Sequence, residues 1–181
     1  MPGTPADRLE EKVAAFGRVK PIPDLIPQKK PLHLSFTQLK DFEDCPEKYW
    51  FRYEIRVPTQ PTPNMSLGSA LHEALEHFYK RVTKDETPSK EDLLALFKKS
   101  FLHFRKTDLQ LNDEHEKMGE VALSNFYELH QGKFIKPIGV EEKFKLEIGE
   151  HSLSGKIDRV DPLGDGVSIV DYKTCLLYTS P

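Results

Sequence analysis

The chain is poor in cysteine. It has two in 181 residues, Cys45 and Cys175, too few for a disulfide framework and too far apart for a closely spaced metal-binding pair. Long apolar runs are missing too: none approaches the roughly 20 residues that span a bilayer. The N-terminus lacks the basic-then-apolar order of a secretion signal, so no membrane partner and a cytoplasmic address are expected. Positive charge is not in excess, with 26 Lys and Arg against 29 Asp and Glu and a net charge of -3. Bulk basicity therefore cannot hold nucleic acid, and any such site must be a local patch. Internal repeats and low-complexity tracts are also absent. What remains, 38% hydrophobic and 30% charged residues, is the balance of a chain that folds in water around one core of ordinary size.

Many of the 14 prolines fall in residues 1–31, including Pro21, Pro23, Pro27 and Pro31. This stretch reads as a tether, interrupted by a short amphipathic piece over residues 6–16. Ser35 with Gln38 three residues on forms a capping-box pattern and predicts a helix over 36–44. Pro46 suits the first turn of a second helix carrying Tyr49, Trp50 and Tyr53, followed by a Pro-rich loop over 58–64. Three longer helical stripes follow, over 66–82, 91–106 and 113–131. The period then changes from 3.6 to 2: Val140, Phe144, Leu146 and Ile148 alternate with charged residues, which predicts a half-buried strand. Gly149-Glu150 turns the chain into a second strand over 152–160, and Gly164-Asp165-Gly166 into a third over 167–174.

Charge and pattern conflict in these strands. On the third, Asp171 and Lys173 extend the otherwise apolar row of Val167 and Ile169, and a desolvated charge needs a partner. A turn at Gly164-Asp165 sets Asp158 opposite Asp171; a turn at Asp165-Gly166 sets it opposite Lys173. Both gather Asp158, Asp171 and Lys173 on one surface. Close carboxylates repel unless a cation lies between them, and a hard divalent ion such as Mg2+ serves that purpose. Glu142 is the one charge on the apolar face of the first strand, which makes it a candidate for the same site or a strand-end residue bending to solvent. His72, one helical turn from Gly68, sits at the edge of its apolar stripe; a lone histidine there is more often a satisfied boundary residue than a ligand.

In chain order, Ser35-Phe36-Thr37-Gln38-Leu39, Cys45-Pro46 followed by aromatics, Leu67-Gly68-Ser69-Ala70-Leu71-His72, Gly155-Lys156-Ile157-Asp158-Arg159 and Asp171-Tyr172-Lys173-Thr174 resemble the RecB-like branch of the PD-(D/E)XK nucleases. The resemblance covers about residues 32–174. It implies an α+β fold, a helical N-terminal part packed on a small mixed or antiparallel sheet, with a restriction-endonuclease-like core. It also implies a Mg2+- or Mn2+-dependent deoxyribonuclease, exonuclease rather than endonuclease, acting in repair or recombination alone or beside a UvrD-like helicase. By position, His72, Asp158 and Asp171 would hold metal with a backbone carbonyl near Tyr172, and Lys173 would orient the attacking water. The DNA partner is expected to be single-stranded or to present an end. Trp50, Arg52 and Arg56, with Lys48 and Tyr49, are the candidates for gripping it, against ordinary helix packing.

The chain departs from that family in three ways. The helix and strand that follow the Asp-x-Lys strand in relatives are missing, so the nuclease domain over 32–174 is expected to be incomplete. Some relatives hold an iron-sulfur cluster on four cysteines; Cys45 matches the first and the other three are absent, so this chain alone cannot build one. Cys175-Leu176-Leu177-Tyr178-Thr179-Ser180-Pro181 resembles a translated sequencing-adapter tail and is expected to be non-native. The competing reading is a catalytically silent DNA-binding or scaffold domain of the same fold.

Overall fold

The computed structural model describes residues 31–130 and 134–173. The chain divides into two units, Met1–Leu32 and His33–Pro181, and every element described here belongs to the second. The tether up to residue 30, its helical piece and the tail from Cys175 lie outside the described residues.

The helices begin where side chains satisfy their free N–H groups. Strand β1 (His33–Ser35) runs directly into α1 (Phe36–Asp44). At this junction Ser35 Oγ accepts from the Gln38 amide at 3.1 Å, and Gln38 Oε1 accepts from the Ser35 amide at 2.7 Å. Such a reciprocal cap contributes about 1 kcal/mol. Helix α2 (Pro46–Tyr49) continues into a π-helical turn, Trp50–Glu54. Helix α3 (Pro63–Val82) starts three residues earlier than periodicity predicts, because Pro63 takes the first helical position behind the Thr62 cap. A second capping box, Ser89 with Asp92, opens α4 (Lys90–Arg105), and α5 (Asp113–His130) completes the helical layer.

Helix α3 is the spine of the core. Leu67, Ala70, Leu71, Ala74, Leu75, Phe78, Tyr79 and Val82 are all buried along it. Phe97 of α4 is fully buried beside Gly119 of α5. A Cβ at residue 119 would lie 2.1 Å from the Phe97 ring, so only glycine lets these helices close to this distance.

The sheet is mixed and four-stranded. Strand β2 (Gly139–Ile148), β3 (His151–Leu163) and β4 (Gly166–Val170) run antiparallel in succession, and β1 lies parallel to β3. β2 takes one edge of β3; β1 and β4 share the other, β1 against Ser152–Ser154 and β4 against Arg159–Leu163. Residues 155–158 are therefore unpaired on that edge. The α+β architecture is the expected one, with two differences. β1 is too short to leave a periodic trace in the sequence. The apolar face of β2 is covered only at its start: Val140 packs on the core and Phe144 lies over Gly155, while Leu146 and Ile148 are exposed.

Candidate metal centre

The site assembles where the sheet is least regular. The pairs Val140↔Arg159 and Glu142↔Ile157 bracket Glu141 and Asp158, setting them opposite each other without a ladder pair of their own. Glu141 has φ 60, a left-handed conformation uncommon outside glycine. On the far side of β3, Asp158 borders the unpaired gap between β1 and β4. The segment after β4 crosses there, and the Tyr172 amide donates to Asp158 Oδ2 at 2.8 Å. The Tyr172 carbonyl lies 2.8 Å from Nε2 of His72, which α3 presents from above its buried stripe.

That last contact fixes the imidazole. A carbonyl oxygen only accepts, so Nε2 carries the proton and a neutral His72 keeps its lone pair on Nδ1. Nδ1 faces Asp158 Oδ2 at 3.4 Å, two electron-rich atoms with nothing to attract them unless a cation joins them or the ring is protonated. Glu141 completes the group: one ligand atom each from His72, Glu141 and Asp158 lie within 4.8 Å of one another. The Glu141 and Asp158 side chains are only 10% and 12% exposed, which makes uncompensated charge expensive. Glu141 Oε2 is buried and pairs with the Lys156 ammonium, with no other hydrogen-bond donor among the described residues. A histidine that donates its other ring N–H to a backbone carbonyl, beside two carboxylates, is a donor set suited to a divalent ion. It opens on a cleft of about 770 Å³ lined also by Asn64, Gly68, Glu73 and Glu76.

A buried polar network holds Tyr172 in place. The Arg159 guanidinium donates to the Tyr172 hydroxyl at 2.8 Å and to Asp161 Oδ2 at 2.9 Å, and lies 4.1 Å from the centre of the Tyr79 ring. Burial pushes the Tyr172 phenol well above its ordinary range, against the pull of Arg159. Arg159 and Asp161 escape sequence reasoning that looks only for reactive groups. Their signal was opposite charges two apart on one strand face, a spacing that sets both side chains side by side.

The remaining sequence candidates lie elsewhere. Asp171 is outside the His72–Glu141–Asp158 group: the β-ladder stops at Arg159↔Val170, one step before sheet alternation would turn Asp171 toward Asp158. Its carboxylate instead pairs with Lys173 at 2.6 Å, and both residues line a separate cavity with Leu71, Leu75, Leu123 and Phe126. The turn itself is Gly164-Asp165, with Leu163 facing Gly166. Glu142 is exposed and bends back over Gly139, while its neighbour Glu141 takes the inward position. Arg52 donates to the buried Asp41 at 2.8 Å, where Lys48 and Tyr53 also converge, so it braces α1 against the π-helical turn. Arg56 is exposed and Trp50 half-buried, and neither lines the cleft. The Cys45 thiol donates to Glu47 at 3.3 Å. The Tyr172 carbonyl, expected as a metal ligand, meets His72. No described helix is long and apolar enough to cross a membrane.

Comparison with known proteins gives a family and relatives. The family model described as the PD-(D/E)XK nuclease superfamily matches residues 33–177. An ATP-dependent helicase/deoxyribonuclease subunit of Clostridium kluyveri (strain NBRC 12016) is 30% identical over 184 residues, covering 80% of this chain and 16% of that protein. The protein of the same name from Clostridium botulinum (strain Loch Maree / Type A3) is 30% identical over 185 residues, with the same coverage. The chain thus spans about 16% of the length of these relatives. No solved structure shows a significant match.

Proposed function

Because the chain belongs to the PD-(D/E)XK nuclease superfamily, we propose that it is the nuclease domain of a DNA-processing enzyme, hydrolysing phosphodiester bonds with a divalent ion held by His72, Glu141 and Asp158. The observation that carries the reading is the 3.4 Å approach of His72 Nδ1 to Asp158 Oδ2 with Glu141 alongside, an arrangement that a cation would stabilise. When bound, a Mg2+ or Mn2+ ion supplies Lewis-acid polarisation of the scissile phosphate and acidifies a water. An imidazole among the donors suits Mn2+.

The protein side of the chemistry is orientation and charge. Tyr172 aligns both His72 and Asp158 through its backbone, and the Arg159 network keeps Tyr172 from moving. Asp171 and Lys173 flank Tyr172. Their mutual ion pair joins side chains 52% and 62% exposed, so it is weak and easily exchanged. In this reading substrate draws Lys173 to the phosphate, where its charge offsets that of the transition state, and Asp171 becomes available to the centre. A helicase partner fits the relatives' name, which joins helicase and deoxyribonuclease; a role in repair or recombination, action from a DNA end and a preference for single strands belong to the same proposal.

The test is cleavage of end-labelled single-stranded and duplex DNA in Mn2+, Mg2+ and EDTA. Metal-dependent cleavage that vanishes in Asp158→Asn supports the proposal. Metal-dependent DNA binding without cleavage would favour the silent DNA-binding domain, a reading to which the outward Asp171–Lys173 pair lends some weight.

A further inference from the structure

Lys156 stands two residues before Asp158 on β3 and pairs with Glu141, one of the three candidate metal ligands. Among the described residues lining the cleft it is the one lysine or arginine, in a lining that also holds Glu73, Glu76, Glu141 and Asp158. Glu76 has its own partner in Lys80, and Glu73 lies 3.8 Å from His77. Glu141 is different: its side chain is 10% exposed, and its buried Oε2 has the Lys156 ammonium and no other donor among the described residues. Lys156 is itself 51% exposed, so its long stem reaches in from solvent and can swing back without disturbing the core.

A carboxylate this buried needs a counter-charge at all times. Resting on the metal-centre reading above, we infer that Lys156 is the resident counter-ion of the metal-free centre: its ammonium neutralises Glu141 when no metal is bound and yields that carboxylate when a divalent ion arrives. A divalent ion on either oxygen of the Glu141 carboxylate repels the ammonium and takes up the charge that the ammonium neutralises. Metal binding therefore works against the Lys156–Glu141 pair, and the displaced ammonium is left at the mouth of the cleft, where a substrate phosphate would meet it. The lysine lowers affinity for free metal and keeps the metal-free fold from carrying a bare buried charge.

The inference is tested by titrating Mn2+ calorimetrically into the full chain as wild type, Lys156→Met, Glu141→Gln and the double variant, with circular dichroism confirming that each is folded. Lys156→Met should bind Mn2+ about fivefold more tightly than wild type, the affinity ratio that one partly exposed ion pair represents. In the Glu141→Gln background the same substitution should change affinity by less than about twofold, because the competition has been removed. Equal or weaker binding by Lys156→Met overturns the inference and leaves the metal centre standing. The same tightening in the Glu141→Gln background overturns it too, since the lysine would then act only through its general field. No binding by any of the four overturns the metal centre and the inference with it.

Discussion

His72 Nε2 and the Tyr172 carbonyl, 2.8 Å apart across 100 residues of sequence, decide which ring nitrogen faces Asp158. The contact leaves Nδ1 as the free donor atom and ties the helical layer to the segment that follows β4. Replacing His72 with alanine should reduce metal-dependent cleavage by at least about 100-fold while leaving the helical circular dichroism unchanged. Asp158→Asn should do the same, and both should lose most of their Mn2+ heat in calorimetry.

Glu141 and Glu142 give a paired test. Glu141→Gln should weaken Mn2+ binding about tenfold or more, whereas Glu142→Gln, on an exposed side chain, should leave both binding and cleavage within about twofold of wild type. Parity alone favours Glu142, because strict alternation assigns it to the apolar face. The left-handed backbone at Glu141 breaks that alternation, and no residue type in the sequence announces it.

Truncating Arg159 should be costly to the fold. Arg159→Met leaves the 4% exposed Asp161 without its partner, a loss of about 3–5 kcal/mol expected for one half of a buried pair. Tyr172→Phe removes a single hydrogen bond and should cost about 1 kcal/mol. Urea denaturation measures both, and the phenylalanine variant should keep most of its metal affinity, because the contacts to His72 and Asp158 are made by the backbone of residue 172.

Gly119 separates stability from activity. A methyl group there would meet the Phe97 ring, and Gly119→Ala should destabilise by about 1–3 kcal/mol through overpacking. Mn2+ affinity should be unaffected, since neither Gly119 nor Phe97 lines the cleft that holds His72. Thermal melts with and without the ion distinguish the two effects.

Asp41 makes an acid-sensitive brace. A hydrogen bond from Lys48, with others from Tyr53 and Arg52, holds its carboxyl at about 2, below its ordinary 3.8. Its contribution to stability is present in full above about pH 4 and lost as pH falls through about 2. The stability difference between wild type and Asp41→Asn should therefore shrink as pH falls across that window. The fluorescence of Trp50, the one tryptophan, reports on the adjacent turn.

Much of this architecture was legible because its determinants are local. Ser35 with Gln38, Pro46 and the apolar stripe of α3 each set an element through neighbours within one or two turns. The change of period near Val140 marked the sheet, and the motif around Asp158 marked one wall of the centre. What escaped depends on contacts between distant segments. Strand β1 exists only because Ser152–Ser154 offers it an edge, and the end of β4 at Val170 frees Asp171 from the alternation that would have carried it to Asp158. The contact of Arg52 with Asp41 is likewise invisible in the sequence, eleven residues separating them.

The most direct measurement is a crystal of the chain soaked in Mn2+, with an anomalous difference map calculated at the manganese edge. One strong peak is expected, bonded to His72 Nδ1, Glu141 and Asp158, with the Lys156 ammonium withdrawn from Glu141. A manganese peak that left His72 and Glu141 unligated, or no peak in the cleft at all, would contradict it.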